Sequence, residues 1–181
     1  MDSVGNWWKH LKTISHHKLI VTKYCFRVGL YRQGLLHDLS KFGFTEFRVG
    51  AKYYQGDRSP NVIERNEIGY STAWLHHKGR NKHHLEYWVD YLPENGFRMS
   101  GLEMPVKYVV EMFCDRIAAC RVYQKEKYTD ASPWQYYDRS RETCMIHPKT
   151  ARLLEDMLLM LRDEGEEKAI AYIRREILKN G

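Results

Sequence analysis

The sequence predicts an all-α protein, and three observations lead to that fold class. Proline is scarce, with 5 residues in a chain of 181. The strict apolar–polar alternation that marks half-buried strands is weak along the chain. Apolar residues recur instead every three or four positions in several segments, which is the period of an amphipathic helix.

The periodic segments place the predicted helices in order. A first helix is predicted over about residues 15–30, where His17, Val21, Tyr24 and Val28 share one face. A short helix then carries GLLHDLSKF, and the glycines after it indicate a looser region. Further helices are predicted over about 62–77, from the His83–His84 pair through Tyr91, over about 105–125, 148–162 and 164–178, with LPENGFRMSG as a loop.

The helix over about 105–125 carries the clearest core signature. Its apolar stripe consists of Val106, Val109, Val110, Phe113, Ile117 and Cys120. Glu111 and Asp115 lie away from that stripe, four residues apart. We therefore expect them to be exposed or to serve a polar site.

Composition indicates a globular protein without a membrane span. Hydrophobic residues make up 43% and charged residues 29%, and no run approaches the roughly 18 apolar residues that a span needs. The beginning of the chain lacks the features of a secretory signal, so a cytoplasmic location is expected. The four cysteines form no CxxC pair, which favours reduced, mostly buried thiols.

The net charge of +6 suits an anionic partner. No predicted helix carries a stripe of lysine and arginine, so nucleic acid is not the expected partner. A small phosphorylated molecule remains the better expectation, and no partner membrane is predicted. The sequence does not indicate an oligomeric state.

The segment HDLSK is the first candidate for chemistry. His37 and Asp38 could flank one metal ion, or the carboxylate of Asp38 could bridge two. Lys41 follows one turn after His37 and could hold a substrate phosphate as a point charge. A His–Asp pair on its own is also typical of an ordinary surface helix.

Other histidines, together with Asp115 on the helix over about 105–125, favour a metal site over an ordinary surface helix. Four of the nine histidines fall within HHKGRNKHH, residues 76–84, and His17 lies on the preceding predicted helix. His16 and His76 stand beside candidate ligands, but helical phase favours His17 and His77. His10 and His147 are interpreted as structural.

The order of these residues resembles the HD-domain superfamily of metal-dependent phosphohydrolases, and more closely an uncharacterised bacterial and phage branch of it. The resemblance rests on HHKLIV, GLLHDLSKFGFTEF, AWLHHKGRNKHHLEYW, MPVKYVVEMFCDRIAA and CMIHPKTARLLEDML. It covers about residues 15–160 and implies one HD-like domain over 1–181. In that domain a helical bundle surrounds a central metal site over about 15–125, and packing helices follow over about 148–178.

The resemblance also implies a ligand set. The implied ligands are His17, His37, Asp38, His77, His83, His84 and Asp115, with Asp38 bridging two metals. Glu111 could orient a ligand histidine or could be merely exposed. No GYP-type loop follows the histidine pair, so hydrolysis of a cyclic dinucleotide is not implied.

Ligands of this kind suit one or two ions of Mn, Fe, Co, Ni or Zn. The expected reaction is hydrolysis of a phosphate ester, with a nucleotide as one candidate substrate. Asp38 and Lys41 would be the catalytic residues, and Lys41, Arg80 and Lys82 would bind the phosphate. Trp74, Tyr87 and Trp88 could stack a base or could simply form walls. An HD-type di-iron oxygenase and a non-catalytic metal- or ligand-binding HD module stay open as alternatives.

Overall fold

The computed structural model describes residues 3–179, with side chains over residues 5–179. Within these residues the chain forms nine α-helices and one short β-hairpin, which confirms the all-α fold class. The elements are α1 (Ser3–Val28), α2 (Tyr31–Leu36), α3 (Phe44–Lys52), α4 (Pro60–Ile68), α5 (Thr72–Lys78), β1 (Val89–Leu92), β2 (Arg98–Gly101), α6 (Val106–Gln124), α7 (Ser132–Asp138), α8 (Pro148–Glu164) and α9 (Glu166–Tyr172). A π-helical turn, Ile173–Ile177, continues α9. No helix among the described residues has both the length and the apolar character to cross a membrane.

α1 and α6 form the centre of the fold. α6 packs against α1, α7 and α8, and α1 also packs against α2 and α3. The predicted stripe of α6 is buried from Val109 to Cys120, with Val106 at its edge. Buried residues of α1, α6, α8 and α9 form one hydrophobic cluster, so the polar face of α6 is left for the centre described below.

α1 begins at Ser3, well before the predicted start near residue 15. The buried face continues toward the N-terminus through Ile14 and His10 at the same helical spacing. His10 packs beside the rings of Phe47 and Tyr54, and this packing supports the interpretation of His10 as a structural residue. An added Cβ at Gly50 would lie 2.3 Å from Nε2 of His10, so this close packing depends on the glycine.

The prediction of a short helix over GLLHDLSKF is wrong for the second half of that segment. α2 ends at Leu36, and a 3₁₀ turn, Leu39–Phe42, begins only after Asp38. The region after it is less loose than the glycines indicated, because α3 covers Phe44–Lys52. The predicted helix over 62–77 is two helices, α4 and α5, which separate at Gly69 in the left-handed conformation (φ +87°).

The predicted helix at the His83–His84 pair is also wrong. The pair lies in a turn before a 3₁₀ segment, Leu85–Trp88, and the chain then enters β1. β1 pairs antiparallel with β2, with Val89 opposite Gly101, so the predicted loop contains a strand. The run YWVDYL is rich in aromatic and β-branched residues, which favour a strand over a helix.

The C-terminal half agrees better with the predicted helices. α6 lacks only the terminal residues of its predicted range, and α8 and α9 lie close to theirs. α7 was missed because its seven residues are too few to display a clear period. All four cysteines are free thiols, and Cys25, Cys114 and Cys120 are buried, as expected.

Candidate metal centre

The structure brings together all seven residues that the sequence offered as metal ligands. Their ligand atoms fall into two groups, and the atoms of each group lie within 4.8 Å of one another. The first group is His17, His37, Asp38 and Asp115; the second is Asp38, His77, His83 and His84. Asp38 belongs to both groups, and buried His/Asp groups of this kind could hold a metal ion.

One oxygen of Asp38 faces the first group. Its Oδ2 atom lies 3.2 Å from Nε2 of His37 and 3.7 Å from Nε2 of His17. Oδ1 of Asp115 completes this side, 2.9 Å from Nε2 of His17 and 3.5 Å from Nε2 of His37.

The other oxygen of Asp38 faces the second group. Its Oδ1 atom lies 3.2 Å from Nε2 of His77 and 3.4 Å from Nε2 of His83. Nε2 of His84 lies 2.9 Å from Nε2 of His77. The carboxylate of Asp38 therefore stands between two sets of imidazole nitrogens.

The backbone between α2 and the 3₁₀ turn makes this placement possible. His37 is extended (φ −52°, ψ 128°), and Asp38 adopts the left-handed conformation (φ 53°, ψ 26°). On a regular helix, adjacent side chains point about 100° apart. Because the helix ends before His37, these two side chains instead converge on one point. Aspartate is among the few residues that tolerate the left-handed region.

The ligand atoms fit a cation better than they fit one another. Buried atoms without a hydrogen-bond partner among the described residues include Nε2 of His17, His37 and His83 and both carboxylate oxygens of Asp38. Leaving such polar atoms buried and unsatisfied is costly. Nitrogen and oxygen ligands held about 2.0–2.2 Å from one ion stand about 3.0–3.5 Å apart. The separations of 2.9–3.7 Å match that spacing.

A carboxylate behind the histidines fixes the orientation of two rings. Glu111 is buried, and its Oε1 atom accepts a hydrogen bond from Nδ1 of His37 at 2.9 Å and lies 3.2 Å from Nδ1 of His83. A neutral ring that donates from Nδ1 has its lone pair on Nε2, directed at the centre. Burial works to raise the pKa of Glu111, but these two contacts lower it. Of the two alternatives left open for Glu111, the structure places it in the orienting position.

Glu46, on α3, has the same position on the second group. Its Oε2 atom accepts from Nδ1 of His77 at 2.8 Å, and its Oε1 atom accepts from Nδ1 of His76 at 2.7 Å. Burial works to raise the pKa of Glu46, but its contacts with the two histidines lower it. Asn81 holds the backbone of the same residue, since its Nδ2 atom donates to the carbonyl of His77 at 2.8 Å.

The charges of the centre favour the ligand form of its two carboxyl groups. Burial works to lower the pKa of His37, but Asp38 and the neighbouring carboxylates raise it, so a metal ion would displace a proton from this ring. Burial works to raise the pKa of Asp38, but positive charge at His37 and Lys41 outweighs it and lowers the pKa well below the usual value. The pKa of Asp115 is also lowered despite burial, through its contacts with His17 and His37. Both carboxyl groups are therefore anions.

In the second group, the ring of His84 is kept neutral. Burial lowers the pKa of His84 well below its usual value, and the neighbouring His83 and His77 act in the same direction. A neutral imidazole has a lone pair to offer. The indole of Trp74 covers this side, with its ring centre 4.7 Å from that of His84 and 5.7 Å from that of His77.

Lys41 lies at the edge of the centre. Its Nζ atom is 2.5 Å from Oδ2 of Asp38, although the direction is not that of a hydrogen bond. Burial works to lower the pKa of Lys41, but the carboxylates of Asp38 and Asp115 outweigh it and raise the pKa. The Lys41 side chain is 29% exposed, against 2% for Asp38, so it links the buried carboxylate to solvent.

Arg80 and Lys82 are exposed and lie against other groups. The guanidinium of Arg80 donates to the backbone carbonyl of His76 at 3.2 Å. The ammonium of Lys82 lies 5.6 Å from the ring centre of Tyr87, which is itself exposed. Trp88 donates from Nε1 to the carbonyl of Lys82 at 2.7 Å.

The histidines beside the predicted ligands differ from them in burial. His16 is exposed while His17 is buried, and His76 is half-buried with its Nδ1 atom on Glu46. His147 accepts from the backbone N–H of Lys149 at the start of α8. Helical phase thus separated the inward-facing from the outward-facing member of each pair.

Sequence reasoning missed Glu46. It lies between Phe44 and Phe47 in GFTEF, and the helical spacing from Phe47 to Ala51 was a weak sign of α3. Gly43, Gly50 and Gly56 hid that sign, because glycines usually indicate a loop.

Comparison with known proteins gives a family but no activity. The chain matches the model of a family of unknown function, DUF5662, over residues 6–160. The chain belongs to this family. Neither a curated protein nor a solved structure matches it. The matched residues include every ligand candidate of the centre, so the DUF5662 model spans the whole site.

Proposed function

We propose that the chain is a metal-dependent hydrolase of a phosphate ester, with a nucleotide as a candidate substrate, and that it is a distant member of the HD-domain superfamily. The observation that carries the proposal is the placement of Asp38. Its two oxygens face different histidine groups at 3.2–3.7 Å, as a carboxylate that bridges two ions would. Two cations held close together repel each other, and an anion between them offsets that repulsion.

Imidazole and carboxylate ligands favour Mn, Fe, Co, Ni or Zn over Mg or Ca. When bound, two such ions would polarise the phosphoryl oxygens of a substrate and lower the pKa of a water molecule between them. Glu111 and Glu46 would hold the ligand rings with Nε2 toward the ions, because both carboxylates accept from Nδ1 atoms.

Lys41 is the group of the chain best placed to meet the substrate. Its ammonium lies beside Asp38 and its side chain is partly exposed, so an entering phosphoryl oxygen would encounter a fixed positive charge. A lysine in this position would neutralise charge that develops on the phosphoryl group. To bind the phosphoryl group as well, the side chains of Arg80 and Lys82 would have to leave their present contacts.

Hydrolysis is tested with protein purified without chelator and then loaded with each of the five metals. Substrates would be p-nitrophenyl phosphate, bis-p-nitrophenyl phosphate and a panel of nucleoside phosphates. We expect metal-dependent release of product from at least one substrate, and a fall of about 1,000-fold or more in Asp38→Asn. Lys168→Gln is a control that removes an exposed charge on α9, where the lysine pairs with Glu164 outside the centre.

The same preparations separate the alternatives. Two bound irons with a mixed-valence signal and oxygen uptake, without phosphate release, would favour the di-iron oxygenase. Absence of bound metal in every loading experiment would favour the non-catalytic binding module. Either result would contradict the proposed hydrolase.

A further inference from the structure

The side chain of Lys18 joins α1 to the end of α2. Its Nζ atom donates hydrogen bonds to the backbone carbonyl of Leu35 at 2.8 Å and to that of His37 at 2.9 Å. The last carbonyls of a helix have no partner within the helix, and a lysine ammonium is a favourable donor for them. Lys18 therefore serves as a cap for α2 that comes from another helix.

The carbonyl of His37 has a special place in the centre. It belongs to the peptide group that links His37 to Asp38, the only two ligands adjacent to each other besides His83 and His84 in the proposed set. The orientation of that peptide plane is set by ψ of His37 (128°) and φ of Asp38 (+53°). Fixing the direction of the carbonyl oxygen thus restrains both torsion angles.

Restraint is needed because the left-handed conformation of Asp38 is uncommon for residues other than glycine, although aspartate tolerates it better than most. Rotation of the His37–Asp38 peptide plane would relieve the left-handed conformation. It would also turn the carbonyl away from Lys18 and move the Asp38 carboxylate out of its place between the histidine groups.

We propose that Lys18 is a positioning residue that fixes the peptide group between His37 and Asp38 and thereby keeps the Asp38 carboxylate between the two ligand groups. The inference rests on the proposed metal centre, which Lys18 itself does not enter. Lys18 directly follows the candidate ligand His17 in the sequence, but its side chain bonds to backbone carbonyls at the end of α2.

Thr22 supplies a matched control. Its Oγ1 atom donates to the backbone carbonyl of Gly34 at 2.8 Å, so it joins the same two helices about one turn further along α1. Thr22→Val removes a contact of this kind without affecting the His37–Asp38 peptide. A purely structural role for Lys18 predicts that the two variants behave alike.

The experiment measures Co²⁺ binding by visible absorption, together with thermal unfolding in chelator. We expect Lys18→Met to bind Co²⁺ at least about 10-fold more weakly than the wild type, with an altered absorption band. Thr22→Val should keep the wild-type isotherm and band at a comparable loss of thermal stability. Lys18→Arg retains a donor and should recover part of the affinity.

Lys18→Gln covers the case in which Lys18→Met does not fold, because the amide is too short to reach both carbonyls and should weaken Co²⁺ binding in the same way. If the Lys18 variants match Thr22→Val in isotherm and band, Lys18 is only a structural contact and the inference is wrong. If the wild type itself binds no Co²⁺, the metal centre and the inference fall together, so the two failures are distinguishable.

Discussion

The carboxylate of Glu46 accepts a hydrogen bond from Nδ1 of His77 at 2.8 Å, and this contact reaches only the second ligand group. Its other oxygen holds His76, which belongs to neither group. Glu46 can therefore be altered to weaken one half of the centre while the other half stays intact.

Glu46→Gln should lower the affinity for one of two metal equivalents by about 10–100-fold. The neutral amide is a poorer acceptor, so the ring of His77 becomes less basic and less firmly oriented. Metal titration followed by calorimetry would resolve the two equivalents. Glu67→Gln, a change at an exposed carboxylate that accepts from Tyr53 at 3.1 Å, should leave both unchanged. Equal weakening of both equivalents would argue against two separate groups.

Glu111→Gln should differ from Glu46→Gln by weakening both equivalents. Glu111 accepts a hydrogen bond from His37, in the first group, and its carboxylate lies 3.2 Å from Nδ1 of His83, in the second. One substitution therefore removes the orienting anion from both sides of Asp38. Glu155→Gln on α8, which loses the contact with Tyr137, is the control. Selective loss of a single equivalent would show that one of the two histidine contacts is unimportant.

Lys41→Met should retain bound metal and lose turnover. The substitution removes the charge that a phosphoryl oxygen would meet, while the candidate ligand atoms of both groups remain. We expect kcat/KM for a phosphate ester to fall about 100-fold or more. Metal analysis on the same sample distinguishes this role from an architectural one, because loss of metal would mean that Lys41 acts by holding Asp38.

His10 should make the folded protein less stable in mild acid. Burial lowers its pKa to about 4, and the charge of Lys41 acts in the same direction. In the unfolded chain the pKa of histidine is about 6.5. Between these values the unfolded chain binds a proton that the folded protein does not, so stability falls as the pH drops from about 6.5 toward 4.

Urea unfolding at pH 7 and pH 5 in chelator would isolate this contribution. His10→Leu removes the titrating group, and the loss of stability between the two pH values should shrink by about 2 kcal/mol. The ligand histidines titrate in both proteins and cancel in the comparison. If the variant and the wild type have the same pH dependence of stability, folding does not lower the pKa of His10.

The sequence was most informative where one requirement dominated. α6 could be predicted because burial alone sets its period, and the choice of His17 and His77 over His16 and His76 followed from the same reasoning. Predicting the seven candidate ligands required the resemblance of their order along the chain to a known superfamily. The residues are distant in sequence and adjacent only in the fold.

Local conformation at the centre was least predictable. The sequence predicted helices at Asp38 and at the His83–His84 pair, yet Asp38 adopts the left-handed conformation and the histidine pair lies in a turn. Convergence of adjacent ligands requires an irregular backbone, and its stabilising contacts, such as that of Lys18, come from other helices. Glu46 was missed for the same reason, because its importance depends on the packing of α3 against α5.

The most direct test of the account is metal stoichiometry in the wild type and in Asp38→Asn, measured beside circular dichroism on the same preparations. Asparagine tolerates the left-handed conformation of Asp38, so the backbone and the helices should be preserved. It lacks the negative charge and one of the two oxygens that face the histidine groups. We predict two metal equivalents in the wild type and at most one in Asp38→Asn, with unchanged helical content. Two equivalents retained by Asp38→Asn would contradict the central claim that this carboxylate joins two metal sites.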